Sequence, residues 1–338
     1  MKYLLYLLML IMLSSCDMFE DMQAMKQPRY EIAAQQSAVF CSSCHKQIYQ
    51  QWLSHSRHAI ATTAASFHHL KDEFTGKIVY NAFMGEAMCY ACHGSKEINE
   101  GVNCETCHGA MPAKTSIEAA HENKFRPGLV ALRQPEFCAK CHDLKNPVSG
   151  EYVLATHDEW SRSQAAKAGV TCQHCHMQQP KGQKAYHGFD SVVRNESIYH
   201  DDLNISEIGF NFPQLNMLLE NRVKGHPIPA GGPTRTLALE VSCLDEKGNE
   251  LYKTIRTFAK KFSLMPIVGI MPYKLIENTQ LQPGERRTLQ FLLPPDLTEK
   301  IKKVIIVLRM YEVSDEHQGN IEQAYWVSKP IIRKEVSI

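Results

Sequence analysis

One short motif, two cysteines separated by two residues and followed at once by histidine, occurs five times in this 338-residue chain. The copies are numbered here as motifs 1 to 5: Cys41–His45, Cys89–His93, Cys104–His108, Cys138–His142 and Cys172–His176. They hold ten of the twelve cysteines, leaving Cys16 and Cys243. Disulfides and zinc ribbons require paired cysteines but no histidine directly after them. Because five such coincidences have a probability on the order of 10⁻⁷ at this histidine content, the repetition argues against both.

This spacing is the one that c-type haem attachment needs. The two thiols bond to the haem vinyl groups, and the histidine that follows becomes the proximal iron ligand. The sequence therefore predicts five covalent haems c, attached through Cys41, Cys44, Cys89, Cys92, Cys104, Cys107, Cys138, Cys141, Cys172 and Cys175, and ligated by His45, His93, His108, His142 and His176. Because five haems in about 160 residues leave little room for an apolar core, the porphyrins should form much of it.

Eleven further histidines are available for the sixth position of each iron. Imidazoles on both sides give low-spin iron suited to one-electron transfer, whereas an open position could bind a small ligand. The candidate distal ligands are His58, His121, His187, His226 and, as a fifth choice, His157. His58 follows His45 by thirteen residues on the same expected helix, so it should serve a neighbouring haem. His55 is its main alternative. His68, His69, His174, His200 and His317 are expected not to be ligands, although His68 or His69 could replace one of the five.

The N-terminus carries an export signal. Residues 1–15 combine one lysine with an apolar run too short for a comfortable membrane span. The run ends at Leu13–Cys16, which resembles a bacterial lipobox and implies cleavage before Cys16 and lipidation of its thiol. The alternative is an ordinary export signal with an incidental cysteine. If Cys16 is lipidated, residues 16–37 are a lipid anchor and tether, and the protein is held on a bacterial membrane, facing the periplasm or the cell exterior.

The segments "CSSCHKQIYQQWLSHSRHA" (residues 41–59) and "GVNCETCHG" (residues 101–109) resemble the multihaem cytochrome c-554 family of electron-transfer proteins. The resemblance covers residues 38–146. It implies that His58, in a His-Ala pair after Trp52, ligates another haem, and that His121 is a distal ligand. It also implies that one iron, with motif 2 as the first candidate, has no sixth protein ligand.

A second resemblance concerns "KGHPIPAGG" (residues 224–232), which is similar to a segment of longer multihaem cytochromes that end in a β-domain. In those proteins a G-H-x-x-P histidine is an iron ligand, which implies the same role for His226.

The expected fold class is a mainly α multihaem domain with little regular structure (residues 38–205), followed by a β-sandwich-like domain (residues 206–338). Loops such as residues 143–151 should join the motifs. In the second domain, residues 235–244 and 251–262 predict a hairpin, and residues 285–295 and 302–313 are further β-rich runs. Cys243 lies between apolar strand residues and is expected to be a buried free thiol.

The charge balance gives no basic face for nucleic acid, since 37 Lys and Arg nearly cancel 36 Asp and Glu. Ten haem propionates would make the holoprotein more acidic, which suits a basic docking partner. The predicted function is a membrane-anchored carrier of electrons between a membrane redox complex, such as a quinol oxidiser, and a periplasmic or extracellular acceptor. No catalytic residue is predicted, and C-x-x-C-K is missing. The alternatives are a nitrogen- or sulfur-compound oxidoreductase at one open haem and a subunit of an extracellular haem conduit.

Overall fold

The computed structural model describes residues 37–56, 58–59, 92–94, 100–108, 129–146, 148–189, 201–264, 272–311 and 328–338. The predictions on the signal, Cys16, the tether up to residue 36, Cys89 and His121 lie outside these residues, as do those on His68, His69, His200 and His317. Within the described residues, no helix has both the length and the apolar character to cross a bilayer.

Residues 37–189, called the haem region below, contain short helices arranged around the motifs. They are α1 Ala38–Ser42, α2 Lys46–His55, α3 Cys104–His108, α4 Leu129–Leu132, α5 Pro135–His142, α6 Thr156–Ser161, α7 Gln164–Lys167 and α8 Cys172–His176. Motifs 3 and 5 are complete five-residue helices, and motif 4 ends α5. Because residues i and i+3 lie on one helix face, a single turn presents both thiols of a motif on the same side.

A hairpin follows motif 4 where the sequence predicted a loop. Strand β1 (Asp143–Lys145) pairs antiparallel with β2 (Tyr152–Ala155). Between them the Asn146 side chain accepts hydrogen bonds from the backbone N–H groups of Val148 (2.8 Å) and Ser149 (3.0 Å). This side-chain-capped turn lets two short strands pair, so the loop prediction for residues 143–151 is wrong at Asp143–Lys145.

Residues 201–338, called the β region, form sheets. The strands are β3 Leu203–Asn211, β4 Gln214–Asn221, β5 Thr236–Leu244, β6 Glu250–Phe258, β7 Lys260–Leu264, β8 Pro272–Asn278, β9 Arg286–Leu292, β10 Lys303–Tyr311 and β11 Ser328–Ser337, with a 3-10 helix at Pro295–Leu297. The sheet orders are β11-β10-β5-β6, β3-β4-β9 and β7-β8, all antiparallel. The predicted hairpin is confirmed as β5–β6, and the two later runs are confirmed as β9 and β10.

The two larger sheets share one apolar core. In β5, Leu237, Leu239, Val241 and Cys243 are fully buried at every second position, as period-two side chains require. The same alternation of buried side chains occurs in β10, the neighbour of β5 in its sheet, and in β4 of the other large sheet. Cys243 is free and buried, which confirms the prediction for its thiol.

The expectation of a mainly α fold is wrong. Of the described residues, 39% are in strands and 26% in helices, so the chain is not mainly α. The physical reason is that each motif needs only one helical turn, while the strands of the two large sheets are seven to ten residues long. The haem region is low in regular structure, and strands outnumber helices among the residues that the structure describes.

Candidate haem-binding centre

Six histidine rings meet in three pairs with one common spacing. The ring centres are 6.2 Å apart in His108–His187, in His176–His226 and in His58–His142. Each pair joins a motif histidine to a distal candidate. A metal–imidazole bond is about 2.0 Å, and the nitrogen lies about 1.2 Å from the ring centre at ordinary bond lengths. Two such bonds and two such centre-to-nitrogen distances in line come to about 6.4 Å, so the spacing of the ring centres fits one metal ion between two imidazoles.

A direct hydrogen bond between the rings does not fit as well. A nitrogen–nitrogen separation of about 2.9 Å would place the ring centres about 5.3 Å apart. Among the described residues no three His, Cys, Asp or Glu side chains converge on a common metal position. The donors present are therefore paired imidazoles, which is the set that a six-coordinate haem iron takes.

The three pairs differ in the angle between their rings. His176 and His226 are almost parallel at 7°, and His108 and His187 lie at 25°. The rings of His58 and His142 are close to perpendicular at 78°. Because ligand orientation tunes a metal's electronic structure, the pair at motif 4 is set apart from the other two.

Desolvation lowers the pKa of four of these six imidazoles. Loss of solvent lowers the pKa of His58 to about 3, with His142 and His176 adding to the effect. Burial is also the leading cause of the lowered pKa values of His108, His142 and His187. A neutral imidazole offers the lone pair that a metal needs, whereas a protonated ring does not.

Two distal candidates are oriented by backbone carbonyls. His187 Nδ1 lies 2.7 Å from the carbonyl oxygen of Ala185, and His226 Nδ1 lies 3.0 Å from that of Pro227. Because a carbonyl oxygen only accepts, Nδ1 carries the hydrogen in both rings and Nε2 is left as the lone-pair atom. Metal-binding histidines are commonly fixed in this way.

His58 is placed by Ser56 and Phe189. The backbone N–H of His58 donates to the hydroxyl of Ser56, a residue with no exposed surface, over 3.0 Å. The Phe189 ring stands edge-on to His58 at 4.6 Å and to His187 at 6.1 Å, so it separates two distal rings. Its φ of +43° is unusual for a residue with a side chain. The alternative to His58, exposed His55, instead has its Nδ1 3.0 Å from the Tyr186 hydroxyl.

His157 has the surroundings of a metal ligand, although no second imidazole is paired with it among the described residues. Its Nδ1 lies 3.3 Å from Asp143 Oδ2, and its backbone N–H donates to Asp143 Oδ1 over 2.9 Å. Its Nε2 is buried and has no hydrogen-bond partner among the described residues. A carboxylate beside one nitrogen and an unsatisfied second nitrogen are the parts that a protein supplies to a carboxylate–histidine–metal arrangement.

Motifs 1 and 3 are tied by polar contacts. The indole N–H of buried Trp52 donates to the Val102 carbonyl over 2.9 Å. The Glu100 carboxylate accepts from the backbone N–H of Ala38 (2.7 Å), the hydroxyl of Ser37 and the side-chain amide of Asn103 (3.2 Å). These bonds join the start of α1 to the turn before α3.

The motif cysteines stand where thioether sulfurs would be, and several of them meet across motifs. The thiols of Cys41 and Cys104 are hydrogen-bonded, linking motifs 1 and 3. Cys138 contacts Cys172, and Cys141 contacts Cys92, which links motif 4 to motifs 5 and 2. These contacts come first among the causes that raise the pKa values of Cys104, Cys138 and Cys141, followed by burial.

Motifs 3 and 4 are also neighbours. Burial raises the pKa of the Cys107 thiol to about 11. The charge of ionised Cys107 in turn raises the pKa values of Cys138 and Cys141. Motif 4 therefore adjoins motifs 2, 3 and 5. Gln173, inside motif 5, stabilises the contact between motifs 4 and 5. Its side-chain amide donates to the carbonyls of Leu132 and Gln134 at 2.9 and 3.0 Å.

Comparison with known proteins agrees with the motifs and the fold. Residues 40–109 match the family described as cytochrome c554 and c-prime. The crystal structure of a penta-heme cytochrome c552 from Thermochromatium tepidum superposes with a TM-score of 0.65 at 20% sequence identity, covering 91% of this chain and all of the other. No curated protein matches the chain. These findings, together with the five motifs, support a multihaem c-type cytochrome, with the similarity to the cytochrome c-554 family carried by residues 40–109.

A cavity of about 900 Å³ lies between motifs 1 and 5. Cys44 and His45 of motif 1 and Cys175 and His176 of motif 5 line it. This volume is within the range of cofactor pockets. Lys184, also in the lining, places its ammonium group 3.5 Å from His45 Nδ1.

Motif 2 of the cytochrome is described only for Cys92 and His93, followed by Gly94 at a φ of +98°. A Cβ at Gly94 would lie 2.2 Å from the carbonyl oxygen of Gly101, so only glycine allows this approach. The sulfur of Cys92 lies 4.0 Å from the Lys140 carbonyl, next to motif 4.

Several residues that shape the centre were missed by sequence reasoning. Asp143 directly follows motif 4 and holds His157, and Phe189 lies two residues after His187. A carboxylate next to a motif was the signal available for Asp143. Nothing in the sequence pattern marks Phe189, because its role depends on two rings that tertiary folding brings together.

Proposed function

We propose that this cytochrome is an exported, lipid-anchored electron carrier with five covalent haems c, each attached at one motif. The observation that carries the proposal is the 6.2 Å spacing of the three imidazole pairs. Bis-imidazole ligation favours electron transfer over chemistry at the iron, because both axial positions are taken by the protein.

The pairs divide the ligand residues among three sites. Cys104, Cys107 and His108 would hold one haem with His187 as the distal ligand. Cys138, Cys141 and His142 would hold another with His58, and Cys172, Cys175 and His176 a third with His226. Bound haem c supplies a one-electron iron couple. The protein contributes the imidazole pairs and, through the carbonyls of Ala185 and Pro227, fixed orientations of two distal rings.

For motifs 1 and 2, the proposal rests on their sequence and on two distal candidates. Cys41, Cys44 and His45 would hold one haem, and Cys89, Cys92 and His93 another. His157 is proposed as a distal ligand, because its orphan Nε2 is buried and its Nδ1 is held by Asp143. His121 is proposed from the family resemblance.

The contacts between motifs suggest an order for the relay. Sulfur contacts connect motif 1 to motif 3, and motif 4 to motifs 2 and 5, while Cys107 brings motif 3 to motif 4. We therefore infer that motif 4 is the node of the network, with motif 1 at one extremity. The partners would be a membrane redox complex, such as a quinol oxidiser, and a periplasmic or extracellular acceptor.

Electron paramagnetic resonance of the oxidised holoprotein tests the proposal, with haem counted by pyridine haemochrome and intact mass. We expect five haems per chain and mostly low-spin irons, one of them with the larger anisotropy of a perpendicular pair. His187→Gly should convert one low-spin signal to high-spin, whereas His174→Gly, in α8 but unpaired with a motif ring, should not. Mostly high-spin irons in the wild type would contradict the carrier.

A further inference from the structure

A buried ion pair joins the haem region to the β region. Lys260, the first residue of β7, contacts the carboxylate of Glu159 in α6, and their side chains are 10% and 9% exposed. The second carboxylate oxygen, Glu159 Oε2, is buried without a hydrogen-bond partner among the described residues. Charges removed from water are tolerated when paired, so each partner requires the other to remain docked.

From Lys260, a continuous set of backbone contacts leads to His226. Ala259, the residue before Lys260, accepts a backbone hydrogen bond of 2.9 Å from the N–H of Thr279. Two residues later, Leu281 and Ile228 exchange two hydrogen bonds of 2.9 Å. The Gln280 side chain adds a bond of 2.5 Å to the Pro229 carbonyl. The segment that carries His226 is thus fixed to the strand end that carries Lys260.

Next to Glu159, Trp160 of helix α6 contacts the chain beside His226 and the chain just before motif 5. Gly225, next to His226, packs on Trp160, whose Cδ1 would lie 3.7 Å from a Cβ at that glycine. The Trp160 indole N–H donates to the Val170 carbonyl over 3.0 Å, just before motif 5. The backbone N–H of Ala165 also donates to the Lys224 carbonyl over 3.4 Å.

We propose that the Glu159–Lys260 pair is a positioning device that holds His226 opposite His176 by locking the β region against α6. The proposal rests on the proposed function, in which His226 is the distal ligand of the motif 5 iron. Neither residue touches the histidine pair, and both act through the backbone contacts described above. Removing one charge leaves the other buried and unpaired, so the β region should undock and withdraw His226.

The test uses the full-length holoprotein in five forms: wild type, Lys260→Met, Lys260→Arg, Glu159→Gln and His226→Gly. The control is Lys303→Met, which removes the lysine of an exposed pair with Glu335 in the same region. The measurements are the low-spin and high-spin signals of the oxidised protein and the stoichiometry of carbon monoxide bound by the reduced protein.

We expect Lys260→Met and Glu159→Gln to lose one low-spin signal and to gain binding of one carbon monoxide, as His226→Gly does. Lys260→Arg, which keeps the charge, and the Lys303→Met control should match the wild type. Combining Lys260→Met with His226→Gly should add nothing to His226→Gly alone, since both act on one iron.

The outcomes separate the two proposals. If His226→Gly opens one iron but Lys260→Met and Glu159→Gln do not, the positioning role is wrong and the ligand assignment stands. If His226→Gly leaves every iron low-spin, the ligand assignment itself fails. Loss of several low-spin signals in both charge variants would also overturn the positioning role, because the pair would then support the haem region as a whole.

Discussion

The described part of the haem region buries five apolar side chains, whereas the two large sheets of the β region share a cluster of twenty-one. The five are Ala38, Trp52, Val153, Ala155 and Ala165, three of them alanines. The cluster contains leucines, isoleucines, phenylalanines and methionines from seven strands and the segments between them. Burial of that apolar surface contributes about 25 cal/mol per Å², so the β region has a driving force that the haem region lacks.

The haem region compensates with side-chain-to-backbone hydrogen bonds. Trp52, Gln173 and Asn146 each bond to backbone groups of a nearby turn or another motif. Such bonds specify geometry, but each contributes only about 1 kcal/mol net. From this difference we infer that covalent haems have a structural role in the haem region, because they would supply the apolar volume that its side chains do not.

The largest effect expected from this contrast is the loss of haem. A chain produced without haem attachment should lose protection in residues 37–189 and keep it in β4, β5 and β10, because only the β region has its own core. Hydrogen exchange followed by mass spectrometry, with the holoprotein as control, measures both regions at once. Equal protection of the haem region in both forms would show that its polar contacts are sufficient to fold it without haem.

A matched pair of substitutions sharpens the comparison at smaller scale. Val241→Ala in β5 and Val153→Ala in β2 delete the same two methyl groups from buried sites. In the sheet core the loss should lower the free energy of unfolding by about 2 kcal/mol, at about 0.8 kcal/mol per buried carbon plus a cavity term. Val153→Ala should leave the β region unchanged, because β2 pairs only with β1 among the described strands.

Local exchange free energies of β5 and β10 amides in urea are the measurement for this pair. A shift of those amides by Val153→Ala would mean that the two regions unfold as one unit. No shift with Val241→Ala would mean that the shared core is softer than its burial indicates.

The same contrast explains what could be predicted from the sequence. Period-two alternation in residues such as Leu237, Leu239 and Val241 predicts β5 directly, because a sheet core imposes that pattern. The C-x-x-C-H motifs predict haem because covalent attachment is a local requirement. By contrast, the partnership of His58 with His142 joins residues 84 positions apart, and only the packing of several motifs decides it.

Other features were not predictable for a related reason. The β1–β2 hairpin consists of three- and four-residue strands, too short for a periodic signal, and its turn depends on the Asn146 side chain. Glu159 and Lys260 read as ordinary surface charges in the sequence. Their burial follows from the docking of two regions that no local pattern encodes.

The smallest expected effect is a pH dependence confined to the β region. Burial opposes ionisation of Glu285, but hydrogen bonds from Arg287 and from the Gln282 backbone outweigh it and lower the pKa of that carboxyl. A lowered folded pKa means that the unfolded chain binds the proton more readily. The stabilisation is therefore complete above the ordinary glutamate pKa of about 4.3 and is lost as the pH falls through the lower folded value.

Because Glu285 and Arg287 are each about a quarter exposed, solvent screening limits this contribution to less than about 1 kcal/mol. Urea unfolding of the β region should show a wild-type advantage over Glu285→Gln at pH 6 that shrinks towards pH 3. Glu335→Gln is the comparison variant: hydrogen bonds from Arg333 and Lys303 also lower the pKa of Glu335, but its greater exposure should make the same trend smaller. An advantage that grows on acidification would mean that burial, and not the arginine, dominates the ionisation of Glu285.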